Sequence, residues 1–168
     1  MRRGGWIGVA VAAAVLASVV TYVVRSASIS ALPTPGALEA SIARSAKNYF
    51  IHRAADKALP PPPPRAVAAL AQGKALFGME CATCHGQDGR HASAIGGAMY
   101  PRAADLGSPR VQRLTDRELF WVIENGIRFT GMPGFARINS DGDNWKLVYY
   151  VQGLGSHPAP AGNPRVHR

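Results

Sequence analysis

Cysteine is nearly absent: the 168 residues contain two, Cys81 and Cys84. A structural zinc site wants four ligands, so this pair would have to recruit distant groups. A disulfide between them would close too small a loop to stabilise much. A thioredoxin-like dithiol follows a strand in a βαβ pattern, whereas Ala66 to Glu80 reads as a helix running into the cysteines. Strand patterning is lacking too. No segment alternates apolar and polar residues over a strand length, and the expected fold class is all-α. Acidic residues are scarce, ten against nineteen Lys and Arg, for a net charge of +9. Most of that excess sits at the front: Met1 to Arg65 carries eight Lys and Arg against two acids, and the remainder eleven against eight. A basic balance confined to one end does not indicate nucleic-acid binding.

Trp6 to Val24 is an uncharged run between Arg3 and Arg25. As a helix it measures roughly 28 Å, close to the apolar thickness of a bilayer. Residues 1–25 are expected to form a single-pass anchor in the cell inner membrane. A cleaved signal peptide is the alternative, since small residues follow at Ser26, Ala27, Ser28 and Ser30. Arg2 and Arg3 read as a positive segment left on the inner side rather than as a twin-arginine signal. Residues 26–64 are expected to be a tether. In it Leu38, Ile42 and Tyr49 recur at near-helical spacing among Arg44, Lys47 and Arg53, which predicts a short basic amphipathic helix, lying on anionic lipid or docked loosely on the folded unit. Pro60 to Pro64 predicts a polyproline spacer of roughly 15 Å. The folded unit is expected over 65–155, and 156–168 is a flexible tail in which His157 and His167 are solvated.

Cys81-Ala82-Thr83-Cys84-His85 is a C-x-x-C-H sequence, the attachment signature of covalent haem c. Two thiols one helical turn apart can each add to a porphyrin vinyl group, and the following histidine then lies beneath the iron. One such motif predicts one haem. In bacteria this linkage is made outside the cytoplasmic membrane, so everything beyond Val24 is expected on the periplasmic side. For the opposite axial position the candidate is Met132, in the loop Gly131-Met132-Pro133-Gly134-Phe135, where a thioether without helical periodicity makes poor core filler. Met79 and His91 lie too near His85 to cross the porphyrin, and Met99 is possible but less well placed.

Three helices should surround the site. Ala66 to Phe77 carries Gly73 and Phe77 on one face, which predicts a closely crossing partner. Thr115-Asp116-Arg117-Glu118 is a capping box opening Asp116 to Asn125, stopped by Gly126. Ser140 opens Asp141 to Gln152, with Gly153 as terminator. Its Trp145, Val148, Tyr149 and Gln152 are expected to face Gly73 and Phe77.

Taken in order, Gly73-x-x-x-Phe77, Cys81-x-x-Cys84-His85-Gly86, Tyr100-Pro101-Arg102 with Leu106, Glu118-Leu119-Phe120-Trp121, Asn125-Gly126-Ile127, Thr130-Gly131-Met132-Pro133 and Trp145-Lys146-Leu147-Val148 form a series that resembles the class I c-type cytochromes, specifically the bacterial mono-haem, membrane-anchored kind. The resemblance covers roughly Arg65 to Leu154. It implies a class I cytochrome c fold, three main helices wrapped round one haem, with thioether bonds from Cys81 and Cys84 and iron ligation by His85 and Met132. It implies that the Pro101 carbonyl accepts the other imidazole N–H, although the stretch from His85 to Pro101 is longer than in the commonest short forms. Arg102 would pair with a haem propionate or be a solvated loop arginine; Trp121, Phe129 and Phe135 would be pocket walls, with Leu106 and Leu119 packing behind them. The implied role is one-electron transfer between a protein donor and a protein acceptor, with no small-molecule substrate. A subunit of a membrane dehydrogenase or oxidase is the alternative. A peroxidase would often carry a second haem, and a gas or redox sensor would need an output domain that the sequence does not display.

Overall fold

The computed structural model describes residues 3–26, 30–57 and 59–155. The tail with His157 and His167 lies outside the described residues. The chain divides into two units, Met1–Ser30 and Ala31–Arg168.

The first unit is helix α1, Arg3–Ser26. Its stretch Trp6–Ser26 is long and apolar enough to cross a membrane, with its side chains exposed throughout. Two hydroxyls in it bond to the helix's own backbone: Ser18 donates to the Ala14 carbonyl at 2.9 Å and Ser26 to that of Tyr22 at 2.8 Å. Lipid offers no hydrogen-bonding partner, so self-satisfied hydroxyls suit an apolar environment.

The second unit is helical, with no strand among its described residues: α2 Ala37–Ala55, α3 Val67–Glu80, α4 Ala82–His85, α5 Ala94–Ala98, α6 Pro109–Gln112, α7 Asp116–Asn125 and α8 Asp141–Leu154. The capping box of α7 forms, Thr115 accepting from the Glu118 N–H while the Glu118 carboxylate takes the Thr115 N–H at 2.8 Å. Ser140 caps α8, accepting from Asp143. That helix runs past its expected end: Gly153 lies inside it and Gly155 closes it. A Cβ at Gly153 would meet nothing within 4 Å, and the helix runs on through it.

The core lies where α3, α7 and α8 meet. A Cβ placed on Gly73 would stand 2.2 Å from the Lys146 carbonyl oxygen, so α3 and α8 touch backbone to backbone there. Phe77, Phe120, Trp145, Leu147 and Val148 are fully buried. The crossing face of α8 differs from the expected one. Lys146 and Tyr150 meet Gly73, and the Tyr150 ring lies 5.0 Å from that of Phe77. Trp145 turns instead to α7, stacking on Phe120 at 4.4 Å, and Gln152 donates to the Leu114 carbonyl. The reason is that α8 is buried on several sides at once, so a single apolar stripe does not identify its partner.

The expected tether also packs on this unit. Ile51 and Ala55 of α2 are buried, at 2% and 3% exposure, and α2 lies on α7. Arg117 donates to the carbonyls of Ala55 and Lys57 at 2.8 and 2.7 Å, and His52 Nδ1 lies 3.1 Å from the Glu118 carboxylate. At the other end of α2, the Tyr100 hydroxyl donates to Glu39. The proline run lies along α8: Trp145 Nε1 donates to the Pro60 carbonyl at 3.3 Å and the Tyr149 hydroxyl to that of Pro63. Arg65 then stands 4.6 Å over the Tyr149 ring. What the sequence presents as a spacer is a strap on the core.

Candidate haem site

Helix α3 ends at Glu80, and the chain turns at once into α4, which carries Cys84 and His85. Cys81 and Cys84 are half-buried free thiols. Burial pushes the Cys81 thiol up to about 12, helped by the neighbouring Glu80 carboxylate and by Cys84. A thiol so held is neutral near pH 7.

The His85 ring is oriented by backbone. Its Nδ1 lies 2.9 Å from the Ala104 carbonyl oxygen, which fixes Nδ1 as the N–H donor and leaves the Nε2 lone pair for a metal. The expected acceptor was Pro101, and the structure corrects it to Ala104. The cause is the path of the chain. Helix α5 packs so closely on α4 that a Cβ at Gly96 would stand 1.9 Å from the Cys84 carbonyl oxygen. The Ala103 N–H then bonds the Gly96 carbonyl at 2.9 Å, which brings the next residue, not Pro101, under the imidazole. Leu106 secures this turn, its N–H donating to the Gly89 carbonyl at 2.8 Å. Gln112 completes it by donating to the carbonyls of Leu106 and Val151.

Met132 is half-buried against the core. Its N–H donates to the Thr130 hydroxyl at 3.1 Å, and its carbonyl accepts from the Ile127 N–H at 3.2 Å. The loop meets the segment that follows α5: a Cβ on Gly131 would stand 2.6 Å from the Met99 sulfur. The chain leaving the C-x-x-C-H helix and the Met132 loop are therefore in contact. Met99 is the contact residue, and its closeness to Met132 was not legible in the spacing alone. His91 is occupied elsewhere, 2.6 Å from Asp88.

The remaining expected residues divide. Leu119 and Phe135 are buried, Trp121 and Leu106 half-buried. Phe129 is 93% exposed, on a turn with φ of 61°. Arg102 folds back on its own loop, Nε donating to the Gly97 carbonyl at 3.3 Å. Sequence reasoning missed Ala104 and Gln112. A carbonyl acceptor has no side-chain signature, although Ala104 stands just two residues before Leu106, which had been singled out. These features fit a haem c: two half-buried free thiols, an imidazole with Nε2 turned out of its hydrogen bond, and a thioether on a loop tied to the same segment.

The family model for cytochrome c oxidase, cbb3-type, subunit III matches residues 68–151, half of the chain. The chain belongs to that family. It is a c-type cytochrome, and its helical fold is the one the family implies. No curated protein matches. Among solved structures the cytochrome resembles a chain of the Kuenenia stuttgartiensis reducing HAO-like protein complex, at 23% identity and a TM-score of 0.52. The likeness covers 56% of the present chain and 47% of that one, so this cytochrome spans under half the length of its neighbour and the comparison concerns fold.

Proposed function

We propose that this cytochrome carries single electrons between protein partners at the periplasmic face of the inner membrane, anchored by α1, through one haem held by thioethers from Cys81 and Cys84 and ligated by His85 and Met132. The observation that carries the reading is the His85 to Ala104 hydrogen bond directly after the two thiols. When bound there, the haem supplies reversible one-electron chemistry at iron. The protein residues orient and shield. Ala104 holds the imidazole in one tautomer and raises its basicity. Thr130 and Ile127 fix the backbone on both sides of the Met132 thioether. Leu106, Leu119, Trp121 and Phe135 exclude water. With His85 and Met132 both holding the iron, no ready site would be left for a small-molecule substrate.

The Met132→Ala variant tests this. Its absorption spectrum should turn from low to high spin, with loss of the long-wavelength band of Met-ligated ferric haem and gain of carbon monoxide binding in the reduced state. An unchanged spectrum would transfer the ligand role elsewhere, with Met99 the first residue to substitute next. A second reading, as an electron-transferring subunit of a larger oxidoreductase, is supported by the family description, which names an oxidase subunit. Copurification of other redox subunits from detergent-solubilised membranes separates it from a free carrier.

A further inference from the structure

The stripe Leu38, Ile42 and Tyr49 does not face the protein. These residues are 74%, 62% and 59% exposed. At about 100° per residue they fall within roughly 40° of one another around α2, and Ile51, which docks the helix on α7, lies on the opposite side. Helix α2 is therefore apolar on two opposed faces, and the protein covers one of them. Phe50 widens the outer face at 64% exposure, its ring edge-on to Tyr49 with centroids 5.4 Å apart. Arg53 borders it, its guanidinium 3.4 Å from the Tyr49 hydroxyl.

Chain connectivity selects the occupant. The connection from Ser26, where the apolar helix ends, to Ala37, where α2 begins, reaches at most roughly 40 Å even fully extended. A helix on so short a leash to a membrane span meets the bilayer surface at high local concentration. An aliphatic stripe with an aromatic at one end and an arginine on its border is the composition of a helix lying in that layer, rings at the interface and guanidinium among phosphates. Other apolar side chains are exposed on the second unit, but none is both arrayed along a helix and so close in sequence to α1.

We propose that the Leu38–Ile42–Tyr49 face of α2 lies in the interfacial layer of a phospholipid bilayer, with Arg53 at the lipid phosphates. The proposal rests on the reading of α1 as a membrane anchor. Because Ile51, Ala55, Arg117 and the Tyr100 to Glu39 bond fix α2 to the cytochrome, such contact sets how the haem domain is oriented on the membrane. A domain so held cannot tumble freely on its anchor.

The test uses the full-length haem-loaded chain in vesicles of phosphatidylcholine and phosphatidylglycerol, with photoreactive benzoylphenylalanine replacing Ile42, Tyr49 or, as a control on the flank of α2, Asn48. Haem absorption identifies the folded samples. Lipid adducts are expected at positions 42 and 49, several-fold above position 48, and the pair Leu38→Glu and Ile42→Glu should abolish the adduct at 49. Equal yields at all three positions, no lipid adduct at 42 and 49, or adducts to a second polypeptide instead would overturn the proposal. Alkaline extraction of the same vesicles reports on α1 separately. Retention without lipid adducts overturns the lipid face and leaves the anchor; release with lipid adducts overturns the anchor and leaves the face as a peripheral lipid-binding surface; release without adducts overturns both.

Discussion

Two parts of the molecule meet α8 by opposite means. Helix α3 meets it at Gly73 with backbone against backbone, whereas the proline run meets it through donors on Trp145 and Tyr149. The difference follows from covalent structure. A helix has spent its N–H and C=O groups internally and can offer only surface, so close approach needs a residue without a side chain. Consecutive prolines have no N–H and form no internal ladder, leaving a row of carbonyls open to donors from α8. Arg117 treats the end of α2 in the same way, capping the carbonyls of Ala55 and Lys57. The core is held by fit, and the strap by polar ties added to a small buried patch at Ile51 and Ala55.

The sharpest way to break this contrast is Trp145→Ala, because Trp145 belongs to both systems. It is stacked on Phe120 and also holds Pro60. A loss of about 3–5 kcal/mol is expected in denaturant unfolding of the haem-loaded protein. Trp145→Phe should recover most of it, and full recovery would mean that the Pro60 bond contributes nothing. Next in size is Gly73→Ala. Alanine favours a helix by about 1 kcal/mol, yet the added carbon would overlap the Lys146 carbonyl, so a net loss of about 1–3 kcal/mol is expected from overpacking. A gain in stability would show that α3 and α8 can part without cost.

Arg117→Ala addresses the strap alone. It should lower global stability by only about 1 kcal/mol, since Arg117 as a residue is exposed. Amide hydrogen exchange in α2 should quicken while α3 and α8 stay protected. Equal quickening everywhere would mean that strap and core unfold as one unit.

The smallest effect is a dependence on pH. Burial would raise the Glu118 carboxyl, but the Thr115 N–H and the His52 and Thr115 side chains outweigh it and hold its pKa below the usual range. A depressed carboxylate stabilises the fold above its unfolded pKa, and that contribution is lost as pH falls through the folded value. Acidification below the usual glutamate range should therefore loosen α2 on α7 before the core opens, as read by α2 exchange corrected for intrinsic rates. Glu118→Gln should remove that step.

The local signals translated directly. The capping box at Thr115 and Glu118, the Ser140 cap and the helix entering Cys81 are set by neighbours within one or two turns, and each appears where the sequence places it. Gly153 misled because a glycine can also sit within a helix, and here the chain keeps helical geometry through it to Leu154. The apolar spacing of Leu38, Ile42 and Tyr49 correctly marked a helix. It did not say which side would dock, because α2 has a second apolar face and periodicity identifies a face without naming its partner.

The sequence by itself determined the local features: two thiols and an imidazole in fixed succession, an apolar run of membrane length, and three helices with their caps. These depend on residues adjacent in the chain. Only the tertiary structure decided that Ala104, not Pro101, orients His85, that Met99 touches the Met132 loop, and that the tether is a strap. Each of those contacts is made by a carbonyl or a surface brought from far along the chain. Every residue carries a carbonyl, so no side-chain pattern could distinguish the one that the packing of α5 against Cys84 presents to the imidazole.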